Sequence, residues 1–146
     1  MAHAAELQGI SVLVIDDSAT IRRSVALCLA PSGCELLFAE DGFAALALLA
    51  EHRPRIVLCD VEMPRLDGHA FCSLLKTDAR YCRIPVILLS AGDGVLDRAR
   101  ARIAGADLHL SKSFDGEQLP RILAACLRRA AHSSEGADPV SQELSA

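Results

Sequence analysis

Five short runs rich in apolar residues recur along the chain, each bounded by charged or turn-forming residues. They lie at residues 11–15, 34–38, 55–59, 85–89 and 106–110. Runs of this length are typical of strands rather than helices, and near-continuous apolar character is typical of strands buried on both faces of a sheet. The pattern therefore predicts five short strands, most of them inside the sheet.

Stretches with helical spacing of apolar residues follow each of these runs, near residues 18–30, 43–50, 66–77, 94–104 and 115–129. Ser18 or Asp17 can cap the first helix, and Asp115 with Gln118 forms a capping box for the last. Five strands alternating with five helices predict an α/β fold, a doubly wound (βα)5 domain with one five-stranded parallel sheet. Right-handed crossovers would place the carboxyl ends of all strands at one edge.

The length of 146 residues is suited to one domain. We expect a lead-in at residues 1–9, the domain at 10–130 and a disordered tail at 131–146, because the tail is rich in Ser, Glu, Asp and Gly. Hydrophobic residues make up 51% of the chain and aromatic residues only 3%, so aliphatic side chains must fill the core.

Charge and cysteine content narrow the class of protein. The net charge of −4 argues against general nucleic-acid binding. The chain shows neither a signal peptide nor an apolar run long enough to span a membrane. Its six cysteines form no Cys-x-x-Cys pair and are expected to be small buried hydrophobes, which suits a reducing cytoplasm.

Polar residues follow four of the predicted strands at the point where each strand ends. They are Asp16 and Asp17, Asp60, Ser90, and Lys112. Ligands of open α/β sheets bind at this edge. Three converging carboxylates repel one another, and a bound Mg²⁺ ion commonly reduces such repulsion. Lys112 and Ser90 would then suit a phosphoryl anion, and Asp60 is the best candidate for a carboxylate nucleophile.

These residues, taken with their neighbours, resemble the receiver domain of two-component response regulators over roughly residues 10–129. The motifs that carry this resemblance are Asp16-Asp17, Asp60 followed by Met63-Pro64-x-x-Asp67-Gly68, Ser90-Ala91, and Lys112. Longer phrases are similar to the PilG-type regulators of twitching motility, which are stand-alone CheY-like receivers in a chemosensory system governing type IV pili. Those phrases are Val14-Ile15-Asp16-Asp17-Ser18-x-Thr20-Ile21-Arg22-Arg23, Asp41-Gly42-Phe43, Met63-Pro64-Arg65-Leu66-Asp67-Gly68 and Ser90-x-x-Asp93-Gly94.

The resemblance implies a role for each acidic residue at this edge. Asp60 would accept a phosphoryl group from the phosphohistidine of a sensor histidine kinase or phosphotransfer domain. Asp17, Asp60 and the backbone carbonyl of Glu62 would bind Mg²⁺, with Asp16 acting through water. The protein would be a signalling phosphoacceptor rather than an enzyme with a separate substrate.

The resemblance also implies a switch and an output surface. Ser90 and Lys112 would contact the phosphoryl oxygens, and Ser90 with His109 would form the switch. A protein target would bind the face of the fourth helix, fifth strand and fifth helix. Two residues depart from the family pattern. Ser113 replaces the usual proline after the lysine, and His109 replaces the usual Tyr or Phe.

Three other readings of the same pattern compete with this one. A flavodoxin-like FMN protein shares the architecture, but Asp16-Asp17 would repel a phosphate bound after the first strand. A magnesium-dependent phosphohydrolase of the haloacid-dehalogenase type needs Asp-x-Asp there, whereas this chain has Asp-Asp-Ser. The third hypothesis is a phosphorylation-independent interaction module, which the departures at Ser113 and His109 suggest.

Overall fold

The computed structural model describes residues 6–136, and side chains as far as residue 132. Its five strands are β1 (Ser11–Ile15), β2 (Glu35–Ala39), β3 (Ile56–Asp60), β4 (Val86–Ser90) and β5 (Leu108–Ser111). The main helices are α1 (Ala19–Leu29), α2 (Gly42–His52), α3 (Gly68–Lys76), α4 (Val95–Ile103) and α5 (Gln118–Gly136), and a short 3-10 turn spans Ala30–Ser32.

The strands form one sheet in the order β2-β1-β3-β4-β5, and every pair in it is parallel. This confirms the predicted doubly wound α/β fold. The order reverses direction at β1 and β3, and this switch point is where ligands of such sheets bind. The interior strands β3 and β4 are buried along their whole length, as their continuous apolar sequences predicted.

Alternating side chains of the sheet build a separate core on each face. One core packs β1, β3 and β4 against α2, α3 and α4, with Phe71 as a fully buried aromatic residue. The other core packs the opposite faces of these strands against α1 and α5, through residues such as Leu29 and Leu123. Because helices cover both faces, the sheet presents its functional side chains only at its ends.

Short connections carry the chain from strand to helix at the carboxyl edge, and side-chain caps fix where three of the helices begin. Ser18 accepts a hydrogen bond from the Ile21 amide at 3.3 Å. Asp41 and Asp67 do the same for α2 and α3, each at 2.8 Å. Of the two caps proposed for α1, the chain uses Ser18, which leaves Asp17 free at the edge.

Both ends of the domain differ from the sequence-based expectation. Residues 1–9 were expected to be a lead-in outside the domain, but Leu7 is fully buried in the core. Arg128 on α5 also donates to the Glu6 carboxylate at 2.6 Å. The last helix was expected to end near Arg129, yet it continues to Gly136, so residues 131–136 are helix rather than tail. Residues 1–5 and 137–146, and the predictions made for them, lie outside the described residues.

All six cysteines are free thiols, and Cys59, Cys72 and Cys126 are buried while the others are partly buried. Within residues 6–136, no helix is both long enough and apolar enough to cross a bilayer.

Candidate functional site

Strand pairing brings three carboxylates together at the carboxyl edge. Ile15 of β1 is in register with Cys59 of β3, so the next residues, Asp16 and Asp60, emerge side by side. Asp16, Asp17 and Asp60 each offer an oxygen, and these three atoms lie within 4.8 Å of one another. Asp16 and Asp60 are 0% and 2% exposed, whereas Asp17 faces solvent. The sequence-predicted acidic cluster therefore exists as a compact group.

The loop after β3 holds Asp60 through the backbone. The Glu62 amide donates to Asp60 Oδ1 at 3.1 Å, and the Gly68 amide donates to the Val61 carbonyl at 2.9 Å. A Cβ atom on Gly68 would lie 2.1 Å from the Asp60 carbonyl oxygen, so only glycine fits there. Gly68 of the Asp67-Gly68 motif is thus a close backbone approach that packs α3 against the phosphoacceptor candidate.

Asp16 is oriented so that one oxygen stays available. Its Oδ1 accepts from the Ser18 amide at 2.9 Å, and its backbone carbonyl accepts from Arg22 Nη1 at 2.6 Å. Its Oδ2 is buried, and the charged group beside it is the Lys112 ammonium at 3.3 Å. One ammonium shared with Asp60 leaves negative charge at this oxygen, and this arrangement fits the predicted Mg²⁺.

Lys112 supplies the positive charge of the site. Its Nζ lies 3.0 Å from Asp60 Oδ1 and 3.3 Å from Asp16 Oδ2, and its amide donates to the Ser90 carbonyl at 2.7 Å. No cis peptide bond occurs within residues 6–136, so the bond from Lys112 to Ser113 is trans. The backbone amide of Ser113, which a proline at this position would lack, donates to Ser111 Oγ at 3.3 Å. The Ser113 departure therefore leaves Lys112 within reach of the carboxylates.

Burial and the Lys112 ammonium act in opposite directions on the pKa of Asp60. Burial raises its pKa, the Lys112 ammonium and the Glu62 amide lower it, and the Asp16 charge raises it again, so that the balance lies above the usual value. For Lys112, burial lowers the pKa but contact with Asp60 and Asp16 outweighs it, so that this pKa is raised. The negative charge of ionised Asp60 is thus only partly balanced by Lys112, and this favours binding of a second cation at the cluster.

Glu62 contacts the site through its backbone amide rather than through the carbonyl oxygen that was predicted to bind a metal. Its amide holds Asp60, as described above. Ligation of a metal by its carbonyl oxygen remains a prediction. The donor set of Asp16, Asp17 and Asp60 is made entirely of carboxylate oxygens, which Mg²⁺ prefers over nitrogen or sulfur ligands.

Ser90 and His109 lie in direct contact. Ser90 Oγ is 2.6 Å from His109 Nε2 and donates to the Gly92 carbonyl at 2.7 Å. The His109 side chain is only 4% exposed, and its Nδ1 lies 3.8 Å from Asp93 Oδ1. Sequence reasoning paired Ser90 with His109 but named Asp93 only within the Ser90-x-x-Asp93-Gly94 motif. No local signal could place Asp93 beside His109, because they lie on separate segments that meet only through packing.

Comparisons with known proteins agree with this geometry. The family model described as the response regulator receiver domain matches residues 12–124. Protein PilG of Pseudomonas aeruginosa is 47% identical over 111 residues, which cover 76% of this chain and 82% of that protein.

Solved structures are similar over most of the domain. The chemotaxis response regulator CheY4 of Vibrio cholerae is 30% identical with a TM-score of 0.74, over 80% of this chain and 98% of that one. The Mn²⁺-bound form of response regulator Rcp1 is 26% identical with a TM-score of 0.66, over 80% of this chain and 90% of that one.

Proposed function

The chain belongs to the response regulator receiver domain family, and we propose that it accepts one phosphoryl group on the Asp60 carboxylate. As a receiver domain it implies a histidine kinase or a histidine phosphotransfer protein as its partner. The observation that carries the proposal is the position of Asp60, which is buried at the sheet edge with Lys112 Nζ at 3.0 Å and two further carboxylates beside it.

The residues divide the chemistry among themselves. An oxygen of Asp60 forms a bond to phosphorus while the bond from phosphorus to the donor's imidazole nitrogen breaks. That nitrogen keeps the bonding electron pair and takes up a proton from solvent, so the donor's ring leaves as neutral imidazole. Lys112 stabilises negative charge on the transferring group, and Ser90 donates its hydroxyl to a phosphoryl oxygen. Asp16, Asp17, Asp60 and the Glu62 carbonyl would hold Mg²⁺. When bound, the ion neutralises the carboxylates and polarises the phosphoryl group. A similar response regulator, Rcp1, has been solved in an Mn²⁺-bound form, which supports binding of a divalent cation.

We propose protein–protein contact as the output. Three large apolar side chains of α4 are exposed: Val95 at 74%, Leu96 at 72% and Ile103 at 85%. The same helix carries Arg98, Arg100 and Arg102. An apolar and basic helix suits an acidic protein partner at the α4–β5–α5 face. Similarity to PilG supports a place in type IV pilus and twitching-motility signalling, and free thiols support action in the reducing cytoplasm.

Intact-mass measurement after incubation with acetyl phosphate and Mg²⁺ tests the proposal. The unaltered protein should gain the mass of one phosphoryl group, and Asp60→Asn should gain none. Glu40→Gln is the matched control, because Glu40 is an exposed acid at the same edge and is not part of the cluster. It should be labelled like the unaltered protein.

Each competing function predicts a different result. A phosphorylation-independent interaction module would take up no phosphoryl group at all. A magnesium-dependent phosphohydrolase would release phosphate from an added phosphomonoester over many turnovers. Labelling that persists in Asp60→Asn would assign the acceptor to another residue and reject the proposal.

A further inference from the structure

A groove lies at the amino edge of the sheet, on the side opposite the acidic cluster. The segments that lead into β3 and β4 and the later turns of α5 form this amino-edge groove, whose volume is about 200 Å³. Arg55 lines it directly before β3, and Arg83 lines it shortly before β4. Apolar side chains, among them Ile84 and Leu127, line the rest. Pockets for drug-sized ligands hold about 300–1,000 Å³, so this groove is better suited to a few side chains of a peptide.

The two arginines bring positive charge to the groove that no neighbour balances. Both are exposed, and neither guanidinium group has a hydrogen-bond or ion-pair partner among the described residues. Arg128 on α5, by contrast, donates to the Glu6 carboxylate at 2.6 Å. Of the described residues that line the groove, none is acidic. Carboxylates that pair with Arg55 and Arg83 must therefore come from another segment.

The chain leaves α5 close to this groove. Ala130 and Ala131 line it, and α5 continues to Gly136, about 7.5 Å further along the axis at about 1.5 Å per residue. Residues 137–146 follow, and an extended segment of that length spans about 33 Å. Returning past the last turns of α5 would use only part of this length, so residues 137–146 are long enough to reach both arginines.

Residues 137–146 are complementary to the groove in charge and in polarity. They include Asp138 and Glu143 and no basic residue, so they offer one carboxylate for each guanidinium group. Val140 and Leu144 are the branched aliphatic residues of the segment, and each lies within two residues of one of these acids. Pairing of a carboxylate can therefore occur together with burial of an aliphatic side chain.

We propose that residues 137–146 bind the amino-edge groove of the same molecule. Their carboxylates pair with Arg55 and Arg83, and an aliphatic side chain packs against Ile84 and Leu127. Exposed ion pairs contribute little individually, but a tethered segment binds at an effective concentration in the millimolar range, so weak contacts are sufficient. The proposal does not depend on phosphotransfer, because the groove and the acidic cluster lie at opposite edges of the sheet.

Cleavage of the full chain after Glu143 by a glutamate-specific protease measures how often the segment is released, because the protease cannot act on a residue held in the groove. Arg55→Gln with Arg83→Gln should raise the initial rate about three- to tenfold, as expected for loss of two exposed ion pairs. Arg100→Gln with Arg102→Gln is the matched control, since both are exposed arginines of α4, and it should leave the rate unchanged. Thermal melting checks that each variant is folded.

Two results of this assay would overturn the proposal. Equal rates in all three proteins would show that residues 137–146 do not bind the groove. A higher rate only in the α4 variant would show that the segment binds the arginines of α4 instead.

Amide NMR spectra of the full chain and of a variant truncated after Gly136 locate the contact. Truncation should move the amide signals of Ile84 and Leu127 and leave that of Lys112, at the opposite edge, in place. These differences should be the same at every protein concentration, because the segment and the groove belong to one molecule. Differences that grow with concentration would assign the bound segment to a second copy of the chain and overturn the proposal.

Charge reversal tests whether the arginines and the acids pair with each other. Arg55→Glu with Arg83→Glu should abolish the effect of truncation on these amide signals. Adding Asp138→Lys and Glu143→Lys in that background should restore the effect, since both partners are then reversed. Signals that truncation never moves, or an effect that the second reversal does not restore, would reject residues 137–146 as the occupant.

Discussion

The ammonium nitrogen of Lys112 lies 3.0 Å from Oδ1 of Asp60, a residue that is only 2% exposed. The same carboxylate is proposed to receive the phosphoryl group. Lys112 therefore pairs with the Asp60 carboxylate in this structure and would stabilise the negative charge of the phosphoryl group once it is bound there. One ammonium faces both Asp16 and Asp60, and Asp17 lies next to them. The site therefore carries excess negative charge, and this excess governs how the protein should respond to metal, pH and substitution.

Magnesium should raise the melting temperature of the unaltered protein. A cation that binds the folded cluster and not the unfolded chain stabilises the fold by mass action, by about 2.7 kcal/mol at 100 times its dissociation constant. Asp17→Ala should melt higher than the unaltered protein without metal, because one repulsive charge is gone, and should gain little from Mg²⁺. Calorimetry with and without Mg²⁺ checks this, with Glu40→Gln as the control that keeps the full response. A melting temperature indifferent to Mg²⁺ would contradict the predicted metal site.

Asp60→Asn should stabilise the metal-free protein at neutral pH, by about 1 kcal/mol. The pKa of Asp60 is raised in the fold, chiefly by burial, so the folded state holds this proton more tightly than the unfolded state does. The advantage of the protonated carboxyl is complete below the unfolded pKa of about 3.9 and disappears as pH rises through the folded pKa. Urea unfolding over a pH series should show the unaltered protein losing stability relative to Asp60→Asn across that window. If the difference in unfolding free energy between the two proteins does not change with pH, burial does not dominate the pKa of Asp60.

Replacing either of two lysines should destabilise the protein, but only for Lys112 should the loss of stability depend on Mg²⁺. Lys112→Met leaves Asp16 and Asp60 without their ammonium and should cost about 1–2 kcal/mol of stability in metal-free buffer, less with Mg²⁺ present. Lys76 is the matched comparison at the opposite edge, where Nζ donates to Asp107 and to the Ile84 carbonyl, each at 2.8 Å. Lys76→Met should cost about 2 kcal/mol equally with and without Mg²⁺. Denaturant unfolding in chelator and in Mg²⁺ distinguishes them, and an equal metal effect on both variants would count against the cluster.

Buried thiols should resist labelling in the folded protein. Burial raises the pKa of Cys59 well above its usual range and that of Cys72 to about 11, so that little reactive thiolate forms at neutral pH. Both should react with a thiol reagent at least about 100-fold more slowly than the partly exposed Cys82, and at ordinary rates once the chain is unfolded. Peptide mass spectrometry after timed labelling measures each site. Rapid native labelling of Cys59 would show that the central strand opens far more often than its burial indicates.

The sequence alone was enough for the order of elements and for the edge at which chemistry occurs. Short apolar runs, caps such as Ser18 and close turns such as Asp67-Gly68 act through neighbours in the chain, so their effect can be predicted locally. The shared handedness of parallel crossovers then places Asp16, Asp60, Ser90 and Lys112 at one edge without any knowledge of side-chain packing. This is why the fold and the grouping of the acidic residues were predictable.

The ends of the domain depended on tertiary contacts that composition does not encode. Leu7 lies within the predicted lead-in, yet it is buried because it packs on the core built by distant segments. Residues 131–136 are poor in apolar side chains, yet they extend α5, because adding a residue to an existing helix avoids the cost of nucleation.

Only the tertiary structure decided how the switch residues meet. His109 faces inward because its neighbours Leu108 and Leu110 occupy the other side of β5, and pairing with β4 then sets it beside Ser90. The approach of Asp93 to within 3.8 Å depends on how the loop after β4 packs over β5. Contacts between segments nineteen residues apart, such as Ser90 with His109, come from packing of the whole sheet and not from local preference.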